Sequence, residues 1–304
     1  MVFGFFFSDK NASNKKTKVS LPSGVRSAII NTLGSRVVPS LPANAQKAFL
    51  VASNPKSDLR DIQEIIEADE SFSSRLLKIA NSVYFDRGKK AKTVPEALVI
   101  IGLSEAKTFL SSTYMTEIFS KMHGLRALLW NHNIAVAILA KWLNSFKNEF
   151  EPDLAFLAGL MHDIGKLMMH IRLGSDYERI IEKASRSNFI EAEAELFPFD
   201  HTDVGLLIAE EWNFSEELKN AIKFHHAPFP ELKKWTIEWL VRLADTTAHA
   251  IGIAHPRGFY KFQQNAKSAL THFWDEFKGS FASLSDFLAE AEENYAYFYD
   301  LYGN

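Results

Sequence analysis

Apolar residues recur at helical spacing along most of the chain. Four stripes stand out: Leu59, Ile62, Ile65 and Ile66; Phe72, Leu76, Ile79 and Val83; Ile134, Ile138, Trp142 and Phe146; and Leu154, Leu157, Met161, Ile164 and Leu167. The sequence contains no hairpin signature, no alternation of strand and helix patterns, and no internal repeat. The pattern therefore predicts an all-α fold.

Several helix ends carry local signals. Thr93 and Glu96 form a capping-box pattern, and Gly102 is expected to end the helix that follows them, with Ser104 capping the next one. Ser215 precedes two glutamates, whose charges suit the positive end of a helix dipole. These signals predict helix starts near residues 93, 104 and 215.

Composition is that of a folded protein with a substantial core. The 304 residues are 47% hydrophobic, with 25 Phe, and 23% charged. The net charge of -3 and a pI near 6.4 provide no general attraction to nucleic acid or to an anionic membrane, so we expect neither as a partner. The chain has no cysteine, which excludes thiolate ligands and disulfides and suits the cytoplasm.

The N-terminus is a short apolar run followed by a polar, Lys- and Ser-rich stretch at 8–20. The apolar run comes before the basic residues, whereas a secretory signal has the opposite order and a longer apolar region. We expect residues 1–21 to form a flexible tail, with docking to a partner as the alternative. No apolar run reaches the ~20 residues of a membrane span, so we expect a cytoplasmic protein.

The strongest chemical signal is the pair His162-Asp163 within Gly159–Leu167. Both side chains are costly to bury without partners, and a shared cation is one way to satisfy them. A neutral imidazole and a carboxylate can bind the same ion, and the carboxylate can bridge to a second one.

Other imidazoles and carboxylates are candidates to join this pair. They are His132, His201, His225, His226 and Asp245. Arg242 is one turn from Asp245 and provides the structural alternative, an ion pair in place of a metal ligand. The remaining histidines are predicted to be packed or capped residues without a chemical role; they are His123, His170, His249, His255 and His272.

Along the chain the candidate residues come in the order His132, His162-Asp163, His201, His225-His226 and Asp245. In this order they resemble the HD superfamily of metal-dependent phosphohydrolases. The resemblance implies that four residues form the basic metal-binding set, namely His132, His162, Asp163 and Asp245. It implies that three more are the additional ligands of two-metal members, namely His201, His225 and His226. Lys166 matches the lysine near the substrate phosphate, so Asp163 and Lys166 are the catalytic candidates if the protein is an enzyme.

The upstream half narrows the resemblance. The segments 76–82 (LLKIANS) and 93–103 (TVPEALVIIGL) are similar to the HDOD family, in which a small helical lobe precedes a modified HD lobe. We therefore expect an HDOD domain at 22–250, divided into lobes 22–118 and 119–250, and a helical extension at 251–304. Asn81 and Ser82 are expected to cap or turn the chain, or else to lie at the lobe interface.

The segment after His225-His226, Ala227-Pro228-Phe229-Pro230, lacks the Gly-Tyr-Pro signature of the HD-GYP cyclic-di-GMP phosphodiesterases. Many HDOD proteins have lost the metal ligands, and in such proteins the polar cluster is an empty relic. This sequence keeps the ligand residues. We therefore expect one or two divalent ions, with iron, manganese, zinc and nickel all compatible with His and carboxylate ligands.

The resemblance implies a bacterial signal-transduction output or scaffold module. The sequence shows no receiver, kinase or diguanylate cyclase segment, so its input is expected through a partner protein. The alternative is a metal-dependent phosphohydrolase acting on a nucleotide or another phosphoester. A nucleic-acid binder is disfavoured by the net charge.

Overall fold

The structure is a computed structural model that describes residues 19–39, 43–54, 56–85, 88, 90–119, 123–185, 188–228, 231–253 and 260–302. No strand occurs in these ranges, and the all-α prediction is confirmed. The first helices are α1 (Ser23–Leu33), α2 (Ala43–Ser53), α3 (Leu59–Glu67), α4 (Glu70–Ala80), α5 (Val94–Phe119), α6 (Leu125–Asn144), α7 (Pro152–Met161) and α8 (Ile164–Leu173). The remaining helices are α9 (Asp176–Ala184), α10 (Phe189–Ala194), α11 (His201–Glu211), α12 (Glu216–Phe224), α13 (Ile237–Ala250), α14 (Tyr260–Leu270) and α15 (Leu284–Tyr302).

Side-chain caps define the start of several helices. Asp58 and Asp200 each form a reciprocal capping box, at the starts of α3 and α11. Ser215 accepts a hydrogen bond from the backbone of Leu218, which confirms the predicted start of α12. Each cap satisfies amide groups that the first turn of a helix leaves without partners.

The first hydrophobic core is formed by α2, α3, α4 and α5 and is almost wholly apolar. Its fully buried residues include Ile62, Ile66, Phe72, Leu76 and Leu110. These are the inward positions of the stripes seen in the sequence. By contrast, Val83, the last member of the second stripe, is 92% exposed, because α4 ends at Ala80 and a 3-10 turn follows.

Gly102 interrupts α5 with φ 81°, a conformation that favours glycine, and this confirms the predicted break. Near the same lobe, Asn81 is the C-cap of α4, and its side chain both donates to and accepts from the backbone of Ala91, at 2.9 and 2.8 Å. The role predicted for Asn81, to cap or turn the chain, is confirmed.

The second core gathers α6 to α13, and helices from both ends of the chain join it. From the N-terminal side, α1 packs against α8 and α11, and Arg26 pairs with Glu210 and Glu211 at 2.6 Å. From the C-terminal side, α14 packs on α13 and α15 packs on α6. The lobe boundaries at 118 and 250 remain a prediction, and residues 1–18 of the predicted tail lie outside the described residues.

Two glycines allow helices to approach closely around the second core. A Cβ on Gly165 of α8 would lie 1.8 Å from the carbonyl oxygen of His201 at the start of α11. A Cβ on Gly159 of α7 would lie 2.6 Å from the carbonyl oxygen of Val136 in α6. Both obstacles are backbone atoms, so these positions hold the helices at a separation that no other residue permits.

The stripe from Leu154 to Leu167 predicts one helix, and here the prediction is wrong. The structure has two helices, α7 and α8, separated at His162 and Asp163, where Asp163 adopts φ -105° and ψ 18°. Neighbouring residues of a continuous helix point ~100° apart, so they face one ion poorly. The break lets both side chains turn to the same place.

Among the described residues, one stretch is long and apolar enough by length and composition to cross a membrane. It is Pro152–Leu173, of 22 residues, and 83% of its most apolar window is buried inside the protein. The stretch comprises α7 and α8 and contains His162, Asp163 and Lys166. The core helices of globular proteins pass the same test, and this burial is typical of them.

Candidate metal centre

Six helices of the second core, α6, α7, α8, α11, α12 and α13, bring polar side chains to one place. His132 lies on α6 and Asp245 on α13, while His162 and Asp163 occupy the break between α7 and α8. His201 is the first residue of α11, and His225 and His226 follow the end of α12. The structure thus brings together all seven residues predicted as metal ligands, and all but His226 are buried.

Asp163 lies at the middle of the cluster, and its two oxygens face different partners. Oδ1 is 3.4 Å from His201 Nε2 and 3.3 Å from His225 Nε2. Oδ2 is 3.4 Å from His162 Nε2 and 3.9 Å from His132 Nε2. A carboxylate with an imidazole set on each oxygen is the arrangement that can bridge two cations.

Asp245 is surrounded by imidazoles as well. Its Oδ1 lies 3.1 Å from His132 Nε2 and 3.0 Å from His249 Nε2, and the rings of the two histidines stack with centroids 4.7 Å apart. His249 was predicted from the sequence to be only a packed residue. One signal could have placed it here, because it follows Asp245 by four residues on α13 and shares its face.

Three imidazoles are held by hydrogen bonds from Nδ1. His162 Nδ1 donates to the Gly159 carbonyl at 2.7 Å, and His225 Nδ1 donates to the Ile222 carbonyl at 2.9 Å. His201 Nδ1 donates to Glu193 Oε2 at 2.7 Å. Because these acceptors require the proton on Nδ1, the Nε2 atom of each neutral ring presents a lone pair.

Glu193 belongs to the candidate site, and sequence reasoning missed it. It is fully buried on α10, and the same Oε2 also accepts the backbone amide of His201 at 2.8 Å. A carboxylate on the far nitrogen of a ligand histidine fixes the tautomer and orientation of the ring. No sequence signal links Glu193 to His201, because only the packing of α10 beside α11 joins them.

The donor set fits a cation. Nε2 of His162, His201 and His225 is buried, and none of the three has a hydrogen-bond partner among the described residues. Burying a polar atom without a partner costs about 1–3 kcal/mol each. Three lone pairs around one carboxylate are satisfied together by a divalent ion, whose preference for nitrogen and oxygen ligands matches this set.

Burial and charge set the protonation of the imidazoles. Burial lowers the pKa of both His132 and His225 to about 4, so both rings are neutral near pH 7. Burial also acts to lower the pKa of His162, but the Asp163 charge outweighs it and the pKa of His162 is raised. Of these three rings, His162 thus keeps its proton to the highest pH, and a cation that binds below that pKa would have to displace it.

The two aspartates remain ionised. Burial acts to raise the pKa of Asp163, yet Lys166 and His162 hold it well below its usual range. Burial acts to raise the pKa of Asp245 in the same way, and His249 together with His132 holds it well below its usual range. Both carboxylates are thus available as anionic ligands at neutral pH.

Two cationic residues border the centre. Lys166 Nζ lies 2.6 Å from Asp163 Oδ2 and 4.5 Å from the centre of the Phe189 ring. Arg242 Nη1 lies 3.9 Å from Asp245 Oδ2, but only 2.9 Å from Nδ1 of His226. The alternative, an ion pair between Arg242 and Asp245, is therefore the weaker of these two interactions.

A cleft of about 450 Å³ opens onto the centre. Its walls include Lys166, His226, Arg242, Asp245 and His249, and α14 supplies Asn265 to one side. A larger cavity of about 790 Å³ lies elsewhere, between Tyr84, Trp142 and Phe298, and no histidine lines it. The smaller cleft is the one that a substrate of the metal centre would enter.

The other histidines that the structure describes lie away from the cluster. His170 Nδ1 accepts a hydrogen bond from Arg126 Nε at 3.1 Å, and its ring packs against Tyr177. His123 and His272 are exposed and take no part in the clusters suited to a metal. His255 lies outside the described residues.

The chain is similar to known proteins in sequence. The sequence profile of the HDOD domain matches residues 38–228. A curated relative, an uncharacterised protein of Treponema pallidum (strain Nichols), is 26% identical over 201 residues, which are 62% of this chain and 37% of that protein. The chain thus spans little more than a third of that relative's length.

Solved structures share the fold. An HDOD domain protein of unknown function from Geobacter sulfurreducens matches with a TM-score of 0.65 and 19% identity, covering 84% of this chain and 93% of that one. A candidate phosphohydrolase from Shewanella amazonensis SB2B matches with a TM-score of 0.64 and 21% identity, covering 89% and 95%. A candidate signal-transduction protein from Marinobacter aquaeolei VT8 matches with a TM-score of 0.63 and 16% identity, covering 95% and 64%.

Proposed function

This chain belongs to the HDOD family, and we propose that it is a signalling output module whose HD-like lobe carries a working divalent metal centre. One observation carries the proposal. The Nε2 atoms of His162, His201 and His225 are buried around the Asp163 carboxylate without hydrogen-bond partners among the described residues, while their Nδ1 atoms are held in place. An empty relic would be under no constraint to keep three ligand nitrogens aimed at one anion.

The signalling part of the proposal draws on the family and on its neighbours. The structure from Marinobacter aquaeolei is named as a signal-transduction protein, and it has the same fold. In such a role the helical lobes bind a partner protein, and the metal centre fixes their arrangement. A signal then reaches this chain through that partner.

The experiment is the metal content of protein purified without chelator or a metal-binding tag. We expect one or two equivalents of divalent metal in the wild type, and loss of at least one in both His162→Ala and Asp163→Ala. His170→Ala is the matched control, because this histidine lies outside the cluster, and it should keep the wild-type content. Wild-type protein that stays metal-free after reconstitution under reducing conditions would contradict the proposal.

A second function, phosphoester hydrolysis, is favoured by the cleft that opens onto the centre. The cleft exposes the edge of the ligand set and carries Lys166 and Arg242 on its walls. A divalent ion supplies Lewis acidity and charge neutralisation to a phosphoester when it is bound. Within this chain, Asp163 holds the Lys166 ammonium at 2.6 Å, so the cation stays at the inner wall of the cleft.

The second function is tested with a generic phosphodiester, bis(p-nitrophenyl) phosphate, and a set of nucleotides on metal-loaded protein. Hydrolysis by the wild type and its loss in Lys166→Met, with the metal content retained, would assign the activity to this site. If metal-loaded protein hydrolyses none of these compounds, the second function is contradicted and only the signalling role remains.

A further inference from the structure

One imidazole of the cluster is oriented differently from the others. His162, His201 and His225 each direct Nδ1 to an oxygen, either a backbone carbonyl or the Glu193 carboxylate. His226 instead directs Nδ1 to Arg242, whose Nη1 lies 2.9 Å away. Distance alone would make His226 a ligand, because it belongs to the group with Asp163, His201 and His225 in which the ligand atoms lie within 4.8 Å of one another.

The Arg242 contact decides where the proton of His226 lies. A guanidinium carries five N–H donors and no acceptor, so His226 Nδ1 has to accept this hydrogen bond. The proton of the neutral ring then lies on Nε2. The opposite tautomer would set two N–H groups against each other at 2.9 Å and lose a charge-assisted hydrogen bond.

The buried edge of His226 is therefore a donor. Its Nε2 has no hydrogen-bond partner among the described residues, although the atom is buried. An N–H group has no lone pair for a cation, but it can donate to an oxyanion. Lys166 and Arg242 line the same cleft and carry the positive charges that such an anion needs.

We propose that His226 is an oxyanion donor and not a metal ligand, and that with Lys166 and Arg242 it forms the anion-binding wall of the cleft. The ligand class is a phosphate group, either free or as part of a phosphoester. This role replaces the metal-ligand role predicted for His226 from the sequence. Of the two tests that follow, only the second depends on the proposed metal centre.

The first test reads the tautomers directly. Long-range ¹⁵N–¹H correlation spectra of metal-free, histidine-labelled protein distinguish Nδ1–H from Nε2–H rings, with signals assigned by single His→Gln variants. We expect His201 and His225 as Nδ1–H and His226 as Nε2–H. Arg242→Met removes the donor and should shift His226 towards the other tautomer. Finding His226 as Nδ1–H in the wild type would overturn the proposal.

The second test separates a metal ligand from an anion donor. Metal content and inorganic phosphate affinity are measured for His226→Leu, His226→Gln and, as control, His225→Gln. We expect both His226 variants to keep the wild-type metal content, and His225→Gln to lose metal. Phosphate should bind His226→Leu at least about tenfold more weakly than it binds the wild type. The loss of affinity should be smaller in His226→Gln, because the glutamine amide can still donate a hydrogen bond.

The outcomes are distinguishable. Loss of a metal equivalent in His226→Leu would show that His226 is a ligand and overturn the proposal. Unchanged phosphate affinity in that variant would overturn the oxyanion role. Wild-type protein without metal would contradict the proposed function, while the spectra of the metal-free protein would still decide the tautomer of His226.

Discussion

The two cores of this protein differ in what they bury in addition to apolar side chains. The first, formed by α2 to α5, is built from aliphatic and aromatic residues such as Ile62, Phe72 and Leu76, all fully buried. The second surrounds Asp163 and Asp245 with imidazoles and the Lys166 ammonium at the same depth. Both lobes are thus stabilised by the burial of apolar side chains, and the second lobe also buries a cluster of charged and polar side chains.

The difference separates stability from function. Burying a large apolar side chain stabilises a fold by about 1.5–3 kcal/mol, whereas a buried polar atom without a partner costs about 1–3 kcal/mol. A cluster that costs stability persists where it serves a purpose, and here a cation would repay the cost. The contrast predicts that a substitution in the first core lowers stability and leaves metal binding unchanged. A substitution among the histidines of the second core should instead abolish metal binding with little change in the stability of the metal-free protein.

The largest effect should come from Phe72→Ala in the first core. Removing a fully buried ring leaves a cavity and should lower the free energy of unfolding by about 3–5 kcal/mol, as measured by urea denaturation. Metal content per folded molecule should not change. Val99→Ala, at a position that is 74% exposed, is the control and should lie within about 0.5 kcal/mol of the wild type.

The corresponding substitution in the second core is His225→Leu. It replaces a buried imidazole whose Nε2 has no hydrogen bond by an apolar side chain. The metal-free variant should unfold within about 1 kcal/mol of the metal-free wild type, because the lost hydrogen bond to Ile222 is offset by the removed buried polar atom. Metal binding should be lost. A variant that is several kcal/mol less stable while keeping its metal would break the contrast.

Metal should stabilise the wild type and leave His225→Leu unaffected. Ligand at 100 to 1,000 times its dissociation constant raises the free energy of unfolding by about 2.7–4.1 kcal/mol. Thermal unfolding of the protein with added manganese or zinc, compared with chelator, measures this shift. An equal shift in His225→Leu would mean that the ion binds somewhere other than the proposed centre.

The outcome also shows what the sequence could and could not predict. The helical stripes predict the all-α class, and the resemblance to the HD superfamily, carried by the order of His132, His162-Asp163 and Asp245, implies which side chains meet. The break at His162-Asp163 could not be predicted, because the apolar stripe from Leu154 to Leu167 continues through it without a proline or a change of period. Tertiary packing, with Gly165 against His201, overrides that local pattern.

Contacts between successive helices account for the rest. Glu193 reaches His201 only because α10 packs beside that ring, and Arg242 meets His226 only because α13 passes the end of α12. No spacing along the sequence encodes either contact. His249 is different, because its position four residues after Asp245 is visible in the sequence, although the sequence analysis predicts a packed residue there.

Glu193→Gln should weaken metal binding by about 10–100-fold, which is the usual cost of losing a carboxylate behind a ligand histidine. The glutamine is nearly isosteric and can still accept from His201, but without the charge that supports the ring. Titration of metal-free protein with a metal indicator measures the change. Glu191→Gln on the same helix, whose carboxylate forms no hydrogen bond or ion pair with a histidine among the described residues, should bind metal as the wild type does.

Acid should weaken metal binding before it unfolds the protein. The raised pKa of His162 means that a cation has to displace its proton, so affinity should fall about tenfold per pH unit below that pKa. The raised pKa also means that the protonated His162 stabilises the metal-free fold at low pH. This stabilisation is lost as the pH rises through the pKa of His162 in the folded protein. Calorimetry in buffers of different ionisation enthalpy should show about one proton released. Binding without proton release would contradict this role for His162.

The smallest effect returns to the first lobe and is expected to leave the metal centre untouched. Asn81 clamps the loop after α4 through its two hydrogen bonds with Ala91, and Asn81→Ala should cost about 1–2 kcal/mol, since solvent replaces those partners in part. Ser82→Ala is the neighbouring control, because its Oγ makes no hydrogen bond to the described residues and its loss should cost less than about 0.5 kcal/mol. Because the loop belongs to the apolar lobe, the metal affinity of both variants should match the wild type. A loss of metal in Asn81→Ala alone would show that the two lobes are coupled through this loop, and that the separation of stability from function fails there first.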